Sequence, residues 1–205
     1  MKPRLLFPLV LSSILLMSCP NPTIPVSTIE WEETSDGYLR FCTNDSAYCG
    51  YTFWCWDNTV YTPMTYFEGE TVKTSGSASY GYGFLFCRQD SNNFYYVLIS
   101  VNGGYYIGKR VGGSWSMIVD WSHPGYLNQG FGRSNTIRVT KTGDNSFSLS
   151  INGHQVRVFS DTSFDGGQYG FYASVGDAGA ENFPATSMDV KFRLTYPEAV
   201  PEATP

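Results

Sequence analysis

Hydrophobic and polar side chains alternate with a period of two over several stretches of this chain, most clearly towards its C-terminal end. Met188, Val190, Phe192 and Leu194 alternate with Asp189, Lys191, Arg193 and Thr195, and Phe147, Leu149 and Ile151 alternate with Ser148 and Ser150. Successive side chains of a strand point to opposite faces, so this pattern predicts antiparallel strands with one face in a core and the other in water. Asn152-Gly153 tolerates the two positive φ angles of a type I′ turn, which predicts a hairpin from Phe147 to Phe159. The same reading predicts a hairpin from Phe94 to Tyr106 about Asn102-Gly103, and a turn at Gly112-Gly113 leading into a strand from Trp115 to Trp121. The stretch Phe94 to Val101 is apolar on both faces, so it belongs in the interior of a sheet and covered on both sides. Further strands are expected over 137–141 and 169–175, and in the N-terminal half over 38–42, 51–56, 64–72 and 83–88. No segment carries a helical period with caps. Many short strands joined by Gly-rich turns predict an all-β chain, an antiparallel two-sheet β-sandwich of jelly-roll type.

The ends of the chain depart from this pattern. Lys2 and Arg4 precede a mostly apolar run from Leu5 to Met17, which Pro20 and Pro22 cut off. Such a run has the form of an export signal and is too short for a stable transmembrane helix. Leu16-Met17-Ser18-Cys19 resembles the lipobox of bacterial lipoproteins, which implies cleavage after Ser18 and lipidation of Cys19. The expected organisation is a signal peptide over 1–18, a lipidated Pro-rich tether over 19–29, one sandwich domain over 30–196 and a flexible tail over 197–205. The expected location is the bacterial cell envelope, with the chain lipid-anchored at the outer membrane, the cell surface or the periplasmic face.

Removal of Lys2 and Arg4 makes the net charge of −5 two units more negative. An acidic surface of this kind argues against nucleic acid as a partner, because that binding rests on neutralising phosphates with Lys and Arg. Apart from Cys19, four cysteines remain, Cys42, Cys49, Cys55 and Cys87. In an oxidising compartment an even number permits two disulfides. Cys42–Cys49, closing the loop TNDSAY, and Cys55–Cys87, tying two strands, are the favoured pairs among three possible connectivities, with free buried thiols as the alternative. No C-x-x-C occurs and His123 and His154 lie far from the cysteines, so a zinc site is not expected.

A family resemblance covers roughly residues 64–195. Gly83-Phe84-Leu85-Phe86, Gln89-Asp90 and Asn92-Asn93-Phe94-Tyr95 resemble the repeated signature of bacterial concanavalin A-like (LamG-like) sandwich domains. So do Trp115 and Trp121, Asn135-Thr136-Ile137-Arg138-Val139, Ile151-Asn152-Gly153, and Phe164-Asp165-Gly166-Gly167-Gln168-Tyr169-Gly170-Phe171. The resemblance implies a jelly roll of two stacked sheets, one of them curved. Members of that superfamily bind glycans, serve as adhesion modules or hydrolyse polysaccharides. Many carry Arg directly after the Phe of the glycine-led strand; here Cys87 takes that place and Arg88 follows, a shift expected to turn the guanidinium to the opposite face.

Hydrolysis of a glycoside needs two carboxyl groups facing one cleft. The retaining enzymes of this fold set them along one strand as Glu-x-Asp-x-x-Glu, a run this chain lacks. Glu68-Gly69-Glu70 is the nearest, with Gly69 suggesting a bend. No nucleophile elbow is present for a Ser-His-Asp arrangement. Non-catalytic binding has more material, since sugar rings pack apolar C–H faces on aromatic rings and the chain holds 5 Trp, 15 Tyr and 14 Phe. Trp54 and Trp56 share one strand face, and Tyr95-Tyr96 and Tyr105-Tyr106 each send one ring to each face. The candidate ligand-binding residues are Trp54, Trp56, Arg88, Tyr95, Tyr105, Lys109 and Trp115, with Trp121 beside them. The expected partner is a glycan or an envelope or extracellular protein, and no cofactor is expected. A calcium site from Asp90, Asn92, Asn93, Asp161 and Asp165 is the weaker metal alternative, because Asp and Asn are also turn formers. A polysaccharide-acting enzyme and a structural envelope lipoprotein without small ligand are the alternative functions.

Overall fold

Alternating side chains place the strands where the sequence leads one to expect them, in a computed structural model that describes residues 30–57, 64–183, 185 and 187–195. The signal segment, Cys19, the tether and the tail expected from the sequence lie outside the described residues. In chain order the strands are β1 (Glu30–Glu33), β2 (Leu39–Thr43), β3 (Thr52–Trp56), β4 (Tyr66–Ser75), β5 (Tyr82–Asp90), β6 (Asn93–Ile99) and β7 (Tyr105–Val111). They continue as β8 (Ser114–Ser122), β9 (Ser134–Gly143), β10 (Ser146–Ile151), β11 (His154–Ser160), β12 (Gln168–Ser174) and β13 (Met188–Thr195). One sheet has seven strands in the order β1-β2-β13-β4-β9-β10-β11, and the other has six in the order β3-β12-β5-β6-β7-β8. Every pairing is antiparallel.

Nearly half of the residues buried between the sheets are aromatic. Phe67 meets Phe86 with ring centres 5.5 Å apart, Phe84 meets Phe192 edge-on at 5.9 Å, and Phe86 meets Phe147 at 6.0 Å. Such ring pairs add about 0.5–1.5 kcal/mol each beyond the area they bury. Gly69 does not bend its strand. It pairs with Ile137 and Leu194 in the middle of β4, and a Cβ there would fall 2.5 Å from the Phe84 ring, so the glycine makes room for a core phenylalanine. Glu68 and Glu70 consequently point to the solvent side of the seven-stranded sheet, where Glu68 pairs with Arg138 and Glu70 with Arg193.

The turn at Asn152-Gly153 has positive φ at both residues (51° and 81°), as a type I′ turn requires. The Asn102-Gly103 turn is longer than the sequence suggests. Only Gly103 has positive φ, Ser100 and Gly104 close the loop through backbone hydrogen bonds, and the Asn102 side chain donates to Ser79 Oγ. Strand β1 carries no readable signal, with Trp31 its only apolar residue, and exists because it pairs with β2.

The four described cysteines are free thiols, which corrects the expected disulfides. Cys55 lies in β3 and Cys87 in β5, with β12 between them. Two strand spacings alone separate them by about 9–10 Å, and Cys55 is level with Phe84 and not with Cys87, so their Cα atoms lie well beyond the ~7 Å a disulfide spans. Cys87 instead packs with Sγ 3.3 Å from Met64 Sδ, and burial pushes its thiol up to about 12. Cys42 lies beside Arg40 and Asp189, whereas Cys49 follows a short 3-10 helix, Ser46–Tyr48, beside Glu181 and Asp177.

Candidate functional site

The outward face of the six-stranded sheet is built from residues of one parity. Strand β3 contributes Trp54 and Trp56, β12 contributes Gln168, Gly170 and Tyr172, and β6 contributes Phe94, Tyr96 and Leu98. From β7 come Tyr106, Gly108 and Arg110, and from β8 Trp115, Met117 and Trp121. Leu85, Phe94, Tyr96, Leu98 and Tyr172 form an apolar cluster separate from the main core, with Trp54 and Tyr106 packed against it.

These rings make a continuous array across the sheet. Trp54 stacks on Tyr172 at 6.4 Å, Tyr172 on Tyr96 at 5.2 Å with planes only 7° apart, and Tyr96 on Tyr106 at 5.9 Å. Tyr106 then meets Trp121 at 5.6 Å. Gly108 leaves the space that the array needs, since a Cβ there would lie 2.3 Å from the Tyr96 hydroxyl oxygen. Trp115 stands nearly perpendicular to this floor, at 84° to Tyr96 and 89° to Tyr172, and covers both.

The ring contacts also report the shape of the sheet. β3 and β8 are its two edges, and five strand spacings would separate them by about 24 Å in a flat sheet. The indoles of Trp54 and Trp115 nevertheless meet with ring centres 6.1 Å apart. Only a strongly curved sheet brings side chains from its opposite edges together, so this face is concave. The two tryptophans close over its middle, and Trp115 (37% exposed), Met117 (59%) and Trp121 (40%) remain open to solvent along one rim.

Two arginines lie among the rings. The Arg88 guanidinium sits over Trp56 with its carbon 3.5 Å from the ring centre, and it donates from Nη1 to Gln168 Oε1. Arg110 lies between Trp54 and Trp115, at 5.5 and 5.1 Å, and donates to the carbonyls of Gly113 and Ser91 at 3.2 and 2.9 Å. The one-residue shift at Cys87 was expected to turn Arg88 to the other face, and the structure corrects this. Cys87 has φ of 51°, and residues 86 and 87 both lie opposite Tyr169 alone, between the pairs Leu85↔Gly170 and Arg88↔Gln168. This β-bulge sends both Phe86 and Cys87 into the core, so Arg88 returns to the concave face beside Leu85.

Three of the candidate residues lie elsewhere. Tyr95 is fully buried and Tyr105 is 3% exposed, both between the sheets; their neighbours Tyr96 and Tyr106 hold the concave face instead. Lys109 shares the inward parity and donates to Asp161 Oδ2 at 2.6 Å and to Ser163 Oγ at 3.0 Å. Asp161 also accepts from the Tyr95 hydroxyl at 2.7 Å and from the Ser163 amide at 2.9 Å. Burial alone would raise the Asp161 carboxyl, but hydrogen bonds from Lys109, Ser163 and Tyr95 hold it at about 2. This network buttresses the sandwich and does not form part of the concave face.

The calcium alternative is likewise not assembled. Asp161 is engaged by Lys109 and Asp165 by Lys141, while Asp90 accepts from the Asn92 amide at 2.7 Å and from Asn93 Nδ2 at 2.9 Å in its own turn. Among the described residues no group of three or more His, Cys, Asp or Glu is placed to hold a metal ion. Carboxylates at the ends of the strands of this face include Asp57 just after β3, Asp90 at the β5–β6 turn and Asp120 towards the far end of β8. A shallow polar depression on the other sheet, lined by Glu68, Thr136, Arg138, Thr140, Ser148 and Gln155, has no aromatic lining.

No protein-family model and no curated protein matches the chain. Solved structures do. The carbohydrate binding module CBM66 from Bacillus subtilis matches with a TM-score of 0.60 and 16% identity, covering 80% of this chain and 88% of that one. The GH16 protein of the Bacteroides ovatus mixed linkage glucan PUL, solved with a product, matches with a TM-score of 0.59 and 10% identity over 83% and 86%. The fold is the concanavalin A-like jelly roll. At these identities the likeness fixes architecture alone, and function rests on the side chains of the concave face.

Proposed function

We propose that this chain is the carbohydrate-binding domain of an exported, lipid-anchored bacterial envelope protein, and that it holds glycan on the concave face without cleaving it. The observation that carries this reading is the set of partly exposed rings Trp54, Trp56, Tyr106, Trp115 and Trp121, held in place by a buried floor of Tyr96 and Tyr172. Aromatic faces offer the C–H surfaces of sugar rings a rigid platform, and Arg88, Gln168 and Arg110 add donors and acceptors for hydroxyls. The binding-module and glycan-acting neighbours share the scaffold on which this face is mounted. Non-catalytic action is supported by the outward residues of β3, β12, β6 and β7, which include no Asp or Glu. The acid pair of a glycosidase must flank one bond at about 5–10 Å, whereas Asp90 and Asp120 belong to opposite ends of the sheet.

A glycan array probed with the folded domain is expected to show retention on at least one polysaccharide class, with no new reducing ends released from the bound chains. Absence of any retention overturns the binding reading, and release of reducing ends overturns the non-catalytic one. Lipid anchoring rests on the sequence Leu16-Met17-Ser18-Cys19. Cys19→Ala is expected to move the protein from the membrane fraction to the soluble fraction; unchanged membrane retention would contradict the anchor.

A further inference from the structure

Among the described residues Arg88 is a buried cation with a donor left unpaired; Lys73, which is more buried and also lacks a salt bridge, donates to the carbonyls of Ser77 and Tyr80. Salt bridges engage Arg40, Lys109, Arg138, Lys141, Lys191 and Arg193, but no carboxylate lies within ion-pair distance of Arg88 among the described residues. It is only 7% exposed, and its Nε is a buried donor with no acceptor. Arg110 also lacks a carboxylate, yet its Nε and Nη1 are satisfied by turn carbonyls. Burial lowers the Arg88 pKa to about 10, with Asp90 only partly offsetting that effect from a distance. A desolvated guanidinium without a counter-ion is costly, and buried polar atoms left unpaired in native proteins call for a specific explanation. In an acidic chain, with net charge −5, carboxylates were available to pair with it.

The immediate surroundings suit a ligand anion. Arg88 reaches across β12 at the level of Gly170, and its guanidinium carbon sits 3.5 Å from the centre of the Trp56 ring. Gln168 holds Nη1 and so fixes the rotation of the group, while Nε remains without a partner. A planar guanidinium held by stacking presents in-plane donors that match the two oxygens of a carboxylate. Trp56 and Gln168 are both only partly buried, and they form the rim along which such a group approaches.

We propose that Arg88 reads a sugar carboxylate, so that the glycan held on this face is acidic, a uronate-bearing polysaccharide. This rests on the concave face being the glycan site and adds the ligand class. The carboxylate accepts from the Arg88 guanidinium while an adjoining ring packs against the tryptophans of the face. Neutral glycans leave the guanidinium uncompensated and bind more weakly.

The test uses the unmodified folded protein in calorimetric titrations. The probes are galacturonate, mannuronate and glucuronate-containing oligomers, the same oligomers after reduction of their carboxyl groups to alcohols, a sulfated neutral galactan and a neutral glucan. At least one uronate oligomer is expected to bind about tenfold or more tighter than its reduced form and to weaken as salt is raised. Arg88→Lys, which keeps the charge and loses the planar fork, is expected to reduce that preference several-fold with the circular dichroism spectrum unchanged. Equal binding of native and carboxyl-reduced oligomers, or binding only to the sulfated galactan or the neutral glucan, overturns the assignment of Arg88 and leaves glycan binding standing. Failure of every probe, on protein that melts cooperatively, overturns both. The comparison of native with reduced oligomers needs no variant, so a misfolded Arg88→Lys protein does not spoil it.

Discussion

Replacing Trp115 by alanine is expected to weaken glycan binding at least about tenfold, the loss typical of a central aromatic anchor. The expectation follows from its position. The indole is 37% exposed, yet it also stands edge-on against Trp54, Phe94, Tyr96 and Tyr172. It therefore offers a face to the ligand while locking the floor below it. Loss of those contacts also costs stability, about 2–3 kcal/mol for a partly exposed tryptophan, below the 3–5 kcal/mol of a fully buried one. Trp121→Ala separates the two roles, because Trp121 is more peripheral and among the described residues makes a ring contact with Tyr106 alone. That variant should lose affinity with a smaller change in melting temperature. Paired thermal melts and titrations of the two variants check the expectation; unchanged affinity in both would contradict it.

Asp161→Ala is expected to be the most damaging single change outside the core, at about 3 kcal/mol. It leaves the Lys109 ammonium, the Tyr95 hydroxyl and the Ser163 amide without their acceptor. For a domain of this size that corresponds to a drop in melting temperature of very roughly 5–12 °C. The same carboxylate sets an acid limb of stability. Its folded pKa of about 2 lies below the ordinary carboxylate value near 3.9, so the unfolded chain takes up the proton first as pH falls. The stabilisation is complete above about pH 5 and is lost progressively between about pH 5 and pH 1, by roughly 2–3 kcal/mol in all. Denaturant titrations at a series of pH values check this. An acid limb as steep in Asp161→Ala as in the parent protein would contradict it.

Much of this fold was written in the alternation of side chains, because the hydrophobic period of a strand is a local property. The C-terminal hairpins and the interior position of β6 follow from it directly. The concave face was harder to read. Strand β6 is apolar on both faces, so its own pattern cannot say whether Tyr95 or Tyr96 points into the sandwich. Strand β7 does carry the signal. Tyr105 and Lys109 share their parity with Ile107, a core residue, whereas Tyr106 alternates with Gly108 and Arg110. Pairing of Tyr96 with Gly108 then transfers the assignment to β6.

The position of Arg88 had no local signal at all. It depends on the bulge at Cys87, which forms where one extra residue of β5 faces β12 and which takes the thiol into the core beside Met64. Tyr172 was missed because Tyr169 to Ala173 has no polar side chain to mark either face, and Gly170 reveals nothing until the strand order is known. The expected Cys55–Cys87 disulfide failed for the same reason. Whether two strands are adjacent is a property of topology, and β12 intervenes between Cys55 and Cys87 from more than eighty residues further along the chain.

The central claim is that the concave face of the six-stranded sheet is the glycan site, and the five tryptophans of the chain test it most directly. Trp54, Trp56, Trp115 and Trp121 belong to that face, while Trp31 packs between the sheets against Phe41, Phe171 and Phe192. In a ¹⁵N–¹H correlation spectrum each indole N–H gives its own signal, assignable by single Trp→Phe changes. Titration with a bound oligosaccharide is expected to shift the signals of Trp54, Trp56, Trp115 and Trp121 and to leave that of Trp31 in place. A ligand that binds while those four signals stay still would place the site elsewhere on the molecule and contradict the account.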